Sequence, residues 1–304
     1  MFSVVIPLYN KELTLRRSIE SVLDQKYTDF ELIIVNDGST DHSLAIARSF
    51  NDSRVHLISQ PNMGVSAARN KGIHAAKYSY IAFLDADDFW EPDYLLSMVE
   101  LIRTCPDACL YGCAYDKIDK KNVAIHDFQL PDDFLGYIPN YFDLAKKHPF
   151  FCSSAVILNK EFPNNNFLFD ESLHTGEDID LWITIALNHP VAFRNKVLAH
   201  YNLGAENRAM RIKRRYSTSI LSHLAKYDQM EKENEAFKLY LNLLRIQFIP
   251  ELFLHYNATK KEIIDYLNSI DSRGQAFKHR LFLFFVPYWL KKKLLAALYA
   301  SSFK

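Results

Sequence analysis

Short apolar runs and segments with helical spacing alternate along about the first third of the chain. Runs rich in β-branched and aromatic residues predict four strands, at 3–8, 30–36, 55–59 and 78–84. Between them, apolar residues three and four positions apart predict helices at 11–25, from His42 onward, and at 64–76. Because strands and helices alternate, the pattern predicts an α/β fold with a mainly parallel central sheet flanked by helices.

The middle of the chain is less regular. Apolar runs predict strands at 108–115 and 152–159, whereas the polar, proline-containing segment 116–139 is predicted to form an irregular loop. After Gly176, apolar residues recur with helical spacing, which predicts a helix that begins near Glu177.

Helical spacing dominates the rest of the chain, at 208–247 and, behind a capping threonine, at 259–270. We therefore expect two regions. The first is an α/β domain at 1–205, and the second is a helical C-terminal region at 206–304.

The segment 280–304 combines aromatic side chains with positive charge. Ten uncharged residues at 281–290 precede three consecutive lysines at 291–293. A helix needs ~20 apolar residues to cross a bilayer, so this stretch is too short to span one. Aromatic residues beside a basic cluster fit a helix that lies at a membrane surface. The alternatives are packing against the chain's own domain and a contact between copies in a homo-oligomer.

Composition narrows the functional classes. The chain has 36 basic and 36 acidic residues, and this zero net charge predicts no nucleic-acid partner. No strand is followed by a Gly-x-Gly-x-x-Gly sequence or a P-loop, which disfavours a dinucleotide-binding fold.

The four cysteines lack zinc-site spacing and are expected to be reduced thiols. The first strand has no basic, apolar leader before it, so we expect a cytoplasmic protein, peripheral on the inner face of the membrane if segment 280–304 binds there.

Acidic residues cluster where the fourth predicted strand ends, in the sequence Asp85-Ala86-Asp87-Asp88. The carboxyl ends of parallel strands form the edge at which open α/β sheets bind ligands. Carboxylates two positions apart supply the hard oxygen ligands that Mg²⁺ or Mn²⁺ prefers, commonly together with substrate phosphates. Taken alone, the cluster is equally well explained as a solvated acidic turn.

Polar residues also follow the other three strands. Tyr9 and Asn10 come after the first strand, Asp37 after the second and Asn62 after the third. In a parallel sheet these strand ends meet at one edge, where they could bind a nucleotide. Each residue has an alternative explanation when taken alone. Asp37 could be a turn or capping residue, and Arg69 could be a solvated charge on a helix.

Four ordered segments resemble the family 2 glycosyltransferases. They are 3–10 (SVVIPLYN), 35–41 (VNDGSTD), 62–70 (NMGVSAARN) and 83–88 (FLDADD), and the resemblance resumes at 175–178 (TGED). It implies a GT-A fold with a nucleotide-sugar-binding half at 1–103 and an acceptor-binding half at 104–205. It also implies inversion at the anomeric carbon of the transferred sugar.

The resemblance implies a role for each matching residue. Donor contacts are expected at Pro7, Tyr9, Asn10, Asp37, Arg69, Asp85 and Ala86. Asp37 would bind the uracil or ribose, and Arg69 would approach the base or the pyrophosphate. Asp87, together with Asp85, would hold Mn²⁺ or Mg²⁺. Asn36 stands where the family often has a first acid, so the carboxylate role falls to Asp37 alone.

The acceptor hydroxyl needs a general base that takes its proton. The family resemblance places this base in the Glu-Asp pair of the segment TGED. Asp178 is the expected base and Glu177 the expected acceptor contact, although the reverse assignment stays open. The alternative is that these first-turn acids only compensate the helix dipole. Arg211 is a candidate for a diphosphate contact, with a solvated helix face as the alternative.

Together these features predict a metal-dependent, inverting glycosyltransferase of hexosyl or N-acetylhexosaminyl type. The expected donor is a UDP-sugar, and the expected acceptor is a glycan or a lipid-linked saccharide in cell-surface polysaccharide biosynthesis. The alternative is a non-catalytic nucleotide-sugar-binding or scaffold protein on the same fold. A nucleotidyltransferase would need a glycine-rich basic loop after the first strand, which segment 9–12 lacks.

Overall fold

The computed structural model describes most of the chain, namely residues 1–119, 122–125, 128–146, 150–163, 167–205, 215–254, 256 and 258–270. Two sequence-based predictions, the surface-binding segment 280–304 and the diphosphate contact of Arg211, lie outside these residues.

Ten strands form one sheet in this part of the chain. They are β1 (Phe2–Leu8), β2 (Phe30–Asp37), β3 (Val55–Gln60), β4 (Tyr80–Phe83), β5 (Phe89–Trp90), β6 (Leu110–Asp119), β7 (Asn122–Ile125), β8 (Leu135–Tyr137), β9 (Val156–Asn159) and β10 (Val191–Asn202). The strand order is β3-β2-β1-β4-β9-β6-β10-β5, with β7 paired to β6 and β8 paired to β10.

The N-terminal half of the sheet is parallel, as the alternation of strands and helices predicted. β1 pairs with β2 and with β4, and β2 pairs with β3. Every residue of β1 and β2 is buried, because helices cover both faces of a parallel sheet. Beyond β4 the sheet is mixed, since β9 runs antiparallel to both β4 and β6. The carboxyl ends of β1, β2 and β4 therefore lie side by side, as expected.

Helices of this α/β region connect and cover the strands. They are α1 (Leu15–Leu23), α2 (Ser43–Arg48), α3 (Val65–Ala75), α4 (Tyr94–Thr104), α5 (Tyr141–Leu144) and α6 (Glu177–Asn188). Helix α3 approaches β1 closely at Gly72, where a Cβ atom would lie only 2.3 Å from Val5 Cγ1. This close packing places α3, which carries Arg69, directly against the central strand of the parallel half.

The prediction that 116–139 forms an irregular loop was wrong. Strand β6 continues to Asp119, and both β7 and β8 lie within that range. The polar residues of this segment are compatible with strands because they find partners across the sheet. Asp116 is buried, and its Oδ1 lies 2.8 Å from Nδ1 of His200 on β10. The strand predicted at 152–159 begins instead with a short 3₁₀ turn, Ser153–Ala155.

The chain forms two compact units. The first contains the described residues of 1–144 and 149–207, and the second contains those of 145–148 and 208–304. The second unit is helical, as predicted, and its helices are α7 (Ile220–His223), α8 (Asp228–Glu233), α9 (Glu235–Gln247), α10 (Ile249–Leu254) and α11 (Lys260–Asn268).

Local interactions explain where two helices of the second unit begin. The side chain of Asn234 accepts a hydrogen bond from Phe237 at the start of α9, and Thr259 and Glu262 form a reciprocal capping box at the start of α11. Within the described residues, no helix is both long enough and apolar enough to cross a bilayer.

Candidate active site

Side-chain hydrogen bonds join the loops that follow β1 and β2. Asn10 has a left-handed backbone with φ of 51°, and its N–H donates to Ser39 Oγ at 3.2 Å. Its side-chain Oδ1 accepts from the Thr40 N–H at 2.8 Å. The next N–H, that of Lys11, donates to Ser43 Oγ at 2.7 Å. These bonds hold the first two glycosyltransferase-like segments against each other.

Pro7 and Tyr9 occupy different environments at this edge. Pro7 lies within β1 and is buried, whereas the Tyr9 side chain is 46% exposed immediately beyond the strand. An exposed aromatic ring beside an ordered loop can stack on a flat ligand. Tyr9 is therefore accessible from solvent, whereas Pro7 is not.

Asp37 is buried and accepts three hydrogen bonds from its own chain. Its Oδ1 accepts from Gln60 Nε2 at 2.9 Å and from the Met63 N–H at 2.8 Å, and its Oδ2 accepts from the Gly64 N–H at 2.8 Å. A carboxylate has about four acceptor positions, so these three bonds do not fill all of them. Asp37 thus holds the loop that leads into α3.

Arg69 connects two distant segments of the sequence. It is only 3% exposed, and its two terminal nitrogens reach Asp85 Oδ1 at 2.7 Å and Glu177 Oε1 at 2.9 Å. Burial lowers the pKa of Arg69, but the charges of Asp85 and Glu177 outweigh this effect, so the pKa is raised overall. Arg69 therefore stays charged and cross-links the DADD segment to the start of α6.

Glu177 uses one carboxylate oxygen for this ion pair and is itself largely buried. The expected contact between Glu177 and an acceptor stays a prediction. Its observed partner, Arg69, lies 108 residues earlier in the chain. No local feature of the sequence around Ala67 to Asn70 indicates this pairing.

Asp178 lies in the first turn of α6, after Gly176, whose φ of 77° allows the chain to turn into the helix. Its Oδ1 accepts from the Ile179 N–H at 2.8 Å, and Ser153 Oγ lies 3.5 Å from its Oδ2. Burial raises the pKa of Asp178 to about 7, and the charge of Glu177 adds to this, while Arg69 opposes it. A carboxyl with this pKa can exchange a proton near neutral pH.

The acidic cluster divides into one buried and two accessible carboxylates. Asp88 is 1% exposed, whereas the side chains of Asp85 and Asp87 are 28% and 15% exposed. Burial raises the pKa of Asp88 well above its ordinary value, and the charges of Asp87 and Asp85 raise it further. Asp88 is thus a structural residue of the cluster, and Asp85 and Asp87 are the members that a ligand can reach.

Ser154 holds the acidic cluster in place. Its Oγ donates to Asp88 Oδ2 at 2.6 Å and accepts from the Asp85 N–H at 3.1 Å, while its carbonyl accepts from Trp90 Nε1 at 2.6 Å. The neighbouring Ser153 is the residue near Asp178. One 3₁₀ turn therefore connects the acidic cluster with the predicted base, and the sequence carried no signal for this role.

We expect Ser154→Ala to lower the free energy of unfolding by about 1–3 kcal/mol, because it removes partners of the buried Asp88 carboxyl and of the Asp85 N–H. Chemical denaturation measures this loss. The exposed Ser49 offers a matched control, for which Ser49→Ala should change stability by less than about 0.5 kcal/mol. Equal stabilities of the two variants would contradict the role assigned to Ser154.

The accessible carboxylates each have a cationic partner from the chain. Asp85 pairs with Arg69, and Asp87 Oδ2 lies 2.6 Å from Lys11 Nζ. Among the described residues, no group of three or more His, Cys, Asp or Glu side chains is arranged to hold a metal ion. Two carboxylates do not enclose a metal by themselves, but Mg²⁺ is commonly held by one or two carboxylates together with substrate phosphates. Asp85 and Asp87 fit a site of that kind.

The predicted site residues from the N-terminal segments and from α6 therefore lie in one compact unit, in which Arg69 directly connects Asp85 with Glu177. A family model described as Glycosyl transferase family 2 matches residues 3–163, which is more than half of the chain. This chain belongs to glycosyltransferase family 2. The family resemblance inferred from the sequence segments is confirmed.

Similar proteins include two that are named for their activity in sugar transfer or polysaccharide synthesis. Glycosyltransferase GlyA of Streptococcus pneumoniae is 41% identical over 102 residues, which are 33% of this chain and 15% of GlyA. Chondroitin synthase of Escherichia coli is 31% identical over 215 residues, which are 69% of this chain and 30% of the synthase. This family 2 member therefore spans less than two thirds of the length of both relatives.

Residues 1–349 of TarS from S. aureus, solved in complex with UDP-GlcNAc, have a similar structure. The TM-score is 0.68 at 18% sequence identity, and the match covers 90% of this chain and 82% of that chain. At this level of identity the likeness concerns the fold. The predicted GT-A fold with a helical C-terminal part is thereby confirmed.

Proposed function

We propose that this family 2 member is a metal-dependent, inverting glycosyltransferase that moves a hexosyl or N-acetylhexosaminyl group from a UDP-sugar to a saccharide. The observation that carries the proposal is the buried Arg69, which binds Asp85 and Glu177 at once. This cross-link joins the predicted donor-binding segment to the helix turn that carries the predicted base, Asp178.

The nucleoside would bind beside the ends of β1 and β2. Tyr9 offers an exposed ring, and Asp37 has an acceptor position left for uracil or ribose. The complex of TarS with UDP-GlcNAc supports a UDP-sugar, because that protein shares the fold. The diphosphate would then lie toward Asp85 and Asp87, on the next parallel strand end.

Asp85 and Asp87 would hold Mn²⁺ or Mg²⁺ together with the donor diphosphate. When bound, the ion would neutralise negative charge that develops on the departing diphosphate. The two side chains contribute by fixing carboxylate oxygens at the DADD turn, which Ser154 and Asp88 keep in place.

Asp178 would act as the general base. Its carboxylate takes the proton of the acceptor hydroxyl while the acceptor oxygen bonds to the anomeric carbon from the face opposite the diphosphate. The bond from that carbon to the diphosphate oxygen breaks, and its electron pair leaves with the diphosphate. Attack opposite the leaving group inverts the anomeric configuration.

The acceptor is proposed to be a glycan or a lipid-linked saccharide used in cell-surface polysaccharide synthesis. Similarity to chondroitin synthase over 69% of this chain supports an acceptor of saccharide type. The alternative of a nucleotide-sugar-binding protein without catalysis predicts UDP-sugar binding but no release of UDP.

A panel of UDP-sugars, each with Mn²⁺ or Mg²⁺ and with simple saccharide acceptors, tests the proposal. We expect at least one UDP-sugar to release UDP in a metal-dependent reaction, measured by a coupled UDP assay. Binding without UDP release across the panel would favour the non-catalytic alternative. Failure to bind any UDP-sugar would contradict both.

We expect Asp87→Ala to weaken metal-dependent UDP binding by at least about tenfold, because it removes one of the two accessible carboxylates. Isothermal titration with UDP, in Mn²⁺ and in chelator, measures the effect. Asp93 is a matched control, since it is more exposed and pairs with Lys26 on the surface. Asp93→Ala should bind like the wild type, and an equally normal Asp87→Ala would remove Asp87 from the proposed metal site.

A further inference from the structure

Lys11 and Asp87 form a half-buried ion pair at the edge of the sheet. Lys11 Nζ lies 2.6 Å from Asp87 Oδ2, and both side chains are 15% exposed. Lys11 is two positions beyond Tyr9. Neither the sequence motifs nor the proposed reaction gives this lysine a role. The pair occupies an oxygen that the proposed function requires for a metal ion.

The backbone on both sides of the pair is held by other contacts. The Lys11 N–H donates to Ser43 Oγ at 2.7 Å, and its carbonyl accepts from the Leu15 N–H at 2.9 Å. On the acidic side, the carbonyl of Ala86 accepts from Thr14 Oγ1 at 2.9 Å. These contacts hold the backbone of Lys11 and of the DADD turn, and Thr14 links the two segments directly through Ala86.

A divalent ion and the Lys11 ammonium group cannot both bind Asp87 at full strength. Two cations on one carboxylate lie a few ångströms apart, and their repulsion is strong where water is partly excluded. The metal must therefore displace Lys11 or bind weakly. A displaced ammonium group in a half-buried position needs another anion, and the donor diphosphate would be the nearest one to arrive.

We propose that Lys11 is the counter-ion of Asp87 in the nucleotide-free protein and competes there with the divalent metal. The metal binds tightly only when a nucleoside diphosphate gives Lys11 a new anionic partner. Metal and nucleotide then raise each other's affinity by the same factor, as linkage requires. The role of the diphosphate rests on the proposed function, whereas the competition at Asp87 rests on the ion pair alone.

The test is Mn²⁺ binding, measured by electron paramagnetic resonance of the free ion, with and without UDP. We expect the wild type to bind Mn²⁺ at least about tenfold more tightly with UDP than without it. Lys11→Met and Lys11→Gln should bind Mn²⁺ about tenfold more tightly than the wild type when UDP is absent. The gain from UDP should shrink correspondingly in both variants.

Lys26→Met is the matched control, because Lys26 pairs with Asp93 at 2.7 Å on the surface. It should bind Mn²⁺ like the wild type, and thermal melting confirms that each variant is folded. If both folded Lys11 variants show wild-type Mn²⁺ affinity without UDP, or no measurable binding, the competition is refuted. If the wild type binds no UDP while the Lys11 variants gain Mn²⁺ affinity, the proposed function fails and the competition stands.

Discussion

We expect Asp178→Asn to lower the rate of sugar transfer by about 10³-fold while UDP affinity in Mn²⁺ stays near the wild-type value. Asparagine keeps the shape of the side chain and can still accept from the Ile179 N–H, but it cannot take a proton from the acceptor hydroxyl. The measurement is the initial rate of UDP release, together with titration of UDP binding.

A matched control addresses the alternative that Asp178 only compensates the helix dipole. Asp228 is an exposed acid at the start of α8 and is not one of the proposed site residues, so Asp228→Asn removes a first-turn charge of the same kind from another helix. This variant should transfer sugar at the wild-type rate. Should Asp178→Asn also do so, Asp178 is not the base.

The raised pKa of Asp178 predicts a second effect of Asp178→Asn, on how the free energy of unfolding depends on pH. The folded-state pKa of about 7 lies above the ordinary value of 3.8, because burial and Glu177 favour the protonated form. The unfolded chain therefore releases this proton at lower pH, and the folded protein loses stability as pH rises from about 4 to about 7. Asp178→Asn should lack this loss, so its stability relative to the wild type should increase across that range. Catalysis should instead rise through pH 7, as the base ionises.

Arg69→Met should lower the free energy of unfolding by about 3–5 kcal/mol, because it leaves the carboxylates of Asp85 and Glu177 without their buried cation. Sugar transfer should be lost as well, since this cross-link holds the acidic cluster beside the start of α6. Chemical denaturation and the UDP-release assay measure the two effects.

Arg16→Met provides the comparison for this loss of stability. The Arg16 side chain is 56% exposed and lies 3.7 Å from Glu20, a surface pair one helical turn away. Its removal should cost less than about 1 kcal/mol. Adding Glu177→Gln to Arg69→Met should recover part of the stability, because it removes one unpaired buried charge. Equal stabilities of the Arg69 and Arg16 variants would contradict the buried cross-link.

Local sequence patterns predicted the parallel half of the fold well. The runs that became β1 to β4 are short, strongly apolar and bounded by turn residues, so neighbouring positions carry most of the information. The polar residues at their ends could be placed at one edge because parallel strands share a direction. The positions of Tyr9, Asp37 and the acidic cluster at this edge therefore follow from the sequence alone.

The remaining features depend on partners far away in the sequence. β6 extends through Asp116 because β10 supplies His200 from 84 residues later, and no local pattern indicates that contact. Ser154 contacts Asp88 across 66 residues, and Arg69 reaches Glu177 across 108. Such pairings are set by the packing of whole elements, which local hydrophobic periodicity does not describe.

The most direct test is a crystal structure of the full chain with UDP and Mn²⁺, with the metal located by its anomalous scattering. We expect one manganese peak in contact with Asp87 and the diphosphate, the uracil beside Tyr9 and Asp37, and Lys11 displaced from Asp87. Nucleotide bound away from these side chains, or manganese bound elsewhere with Asp87 still paired to Lys11, would contradict this expectation.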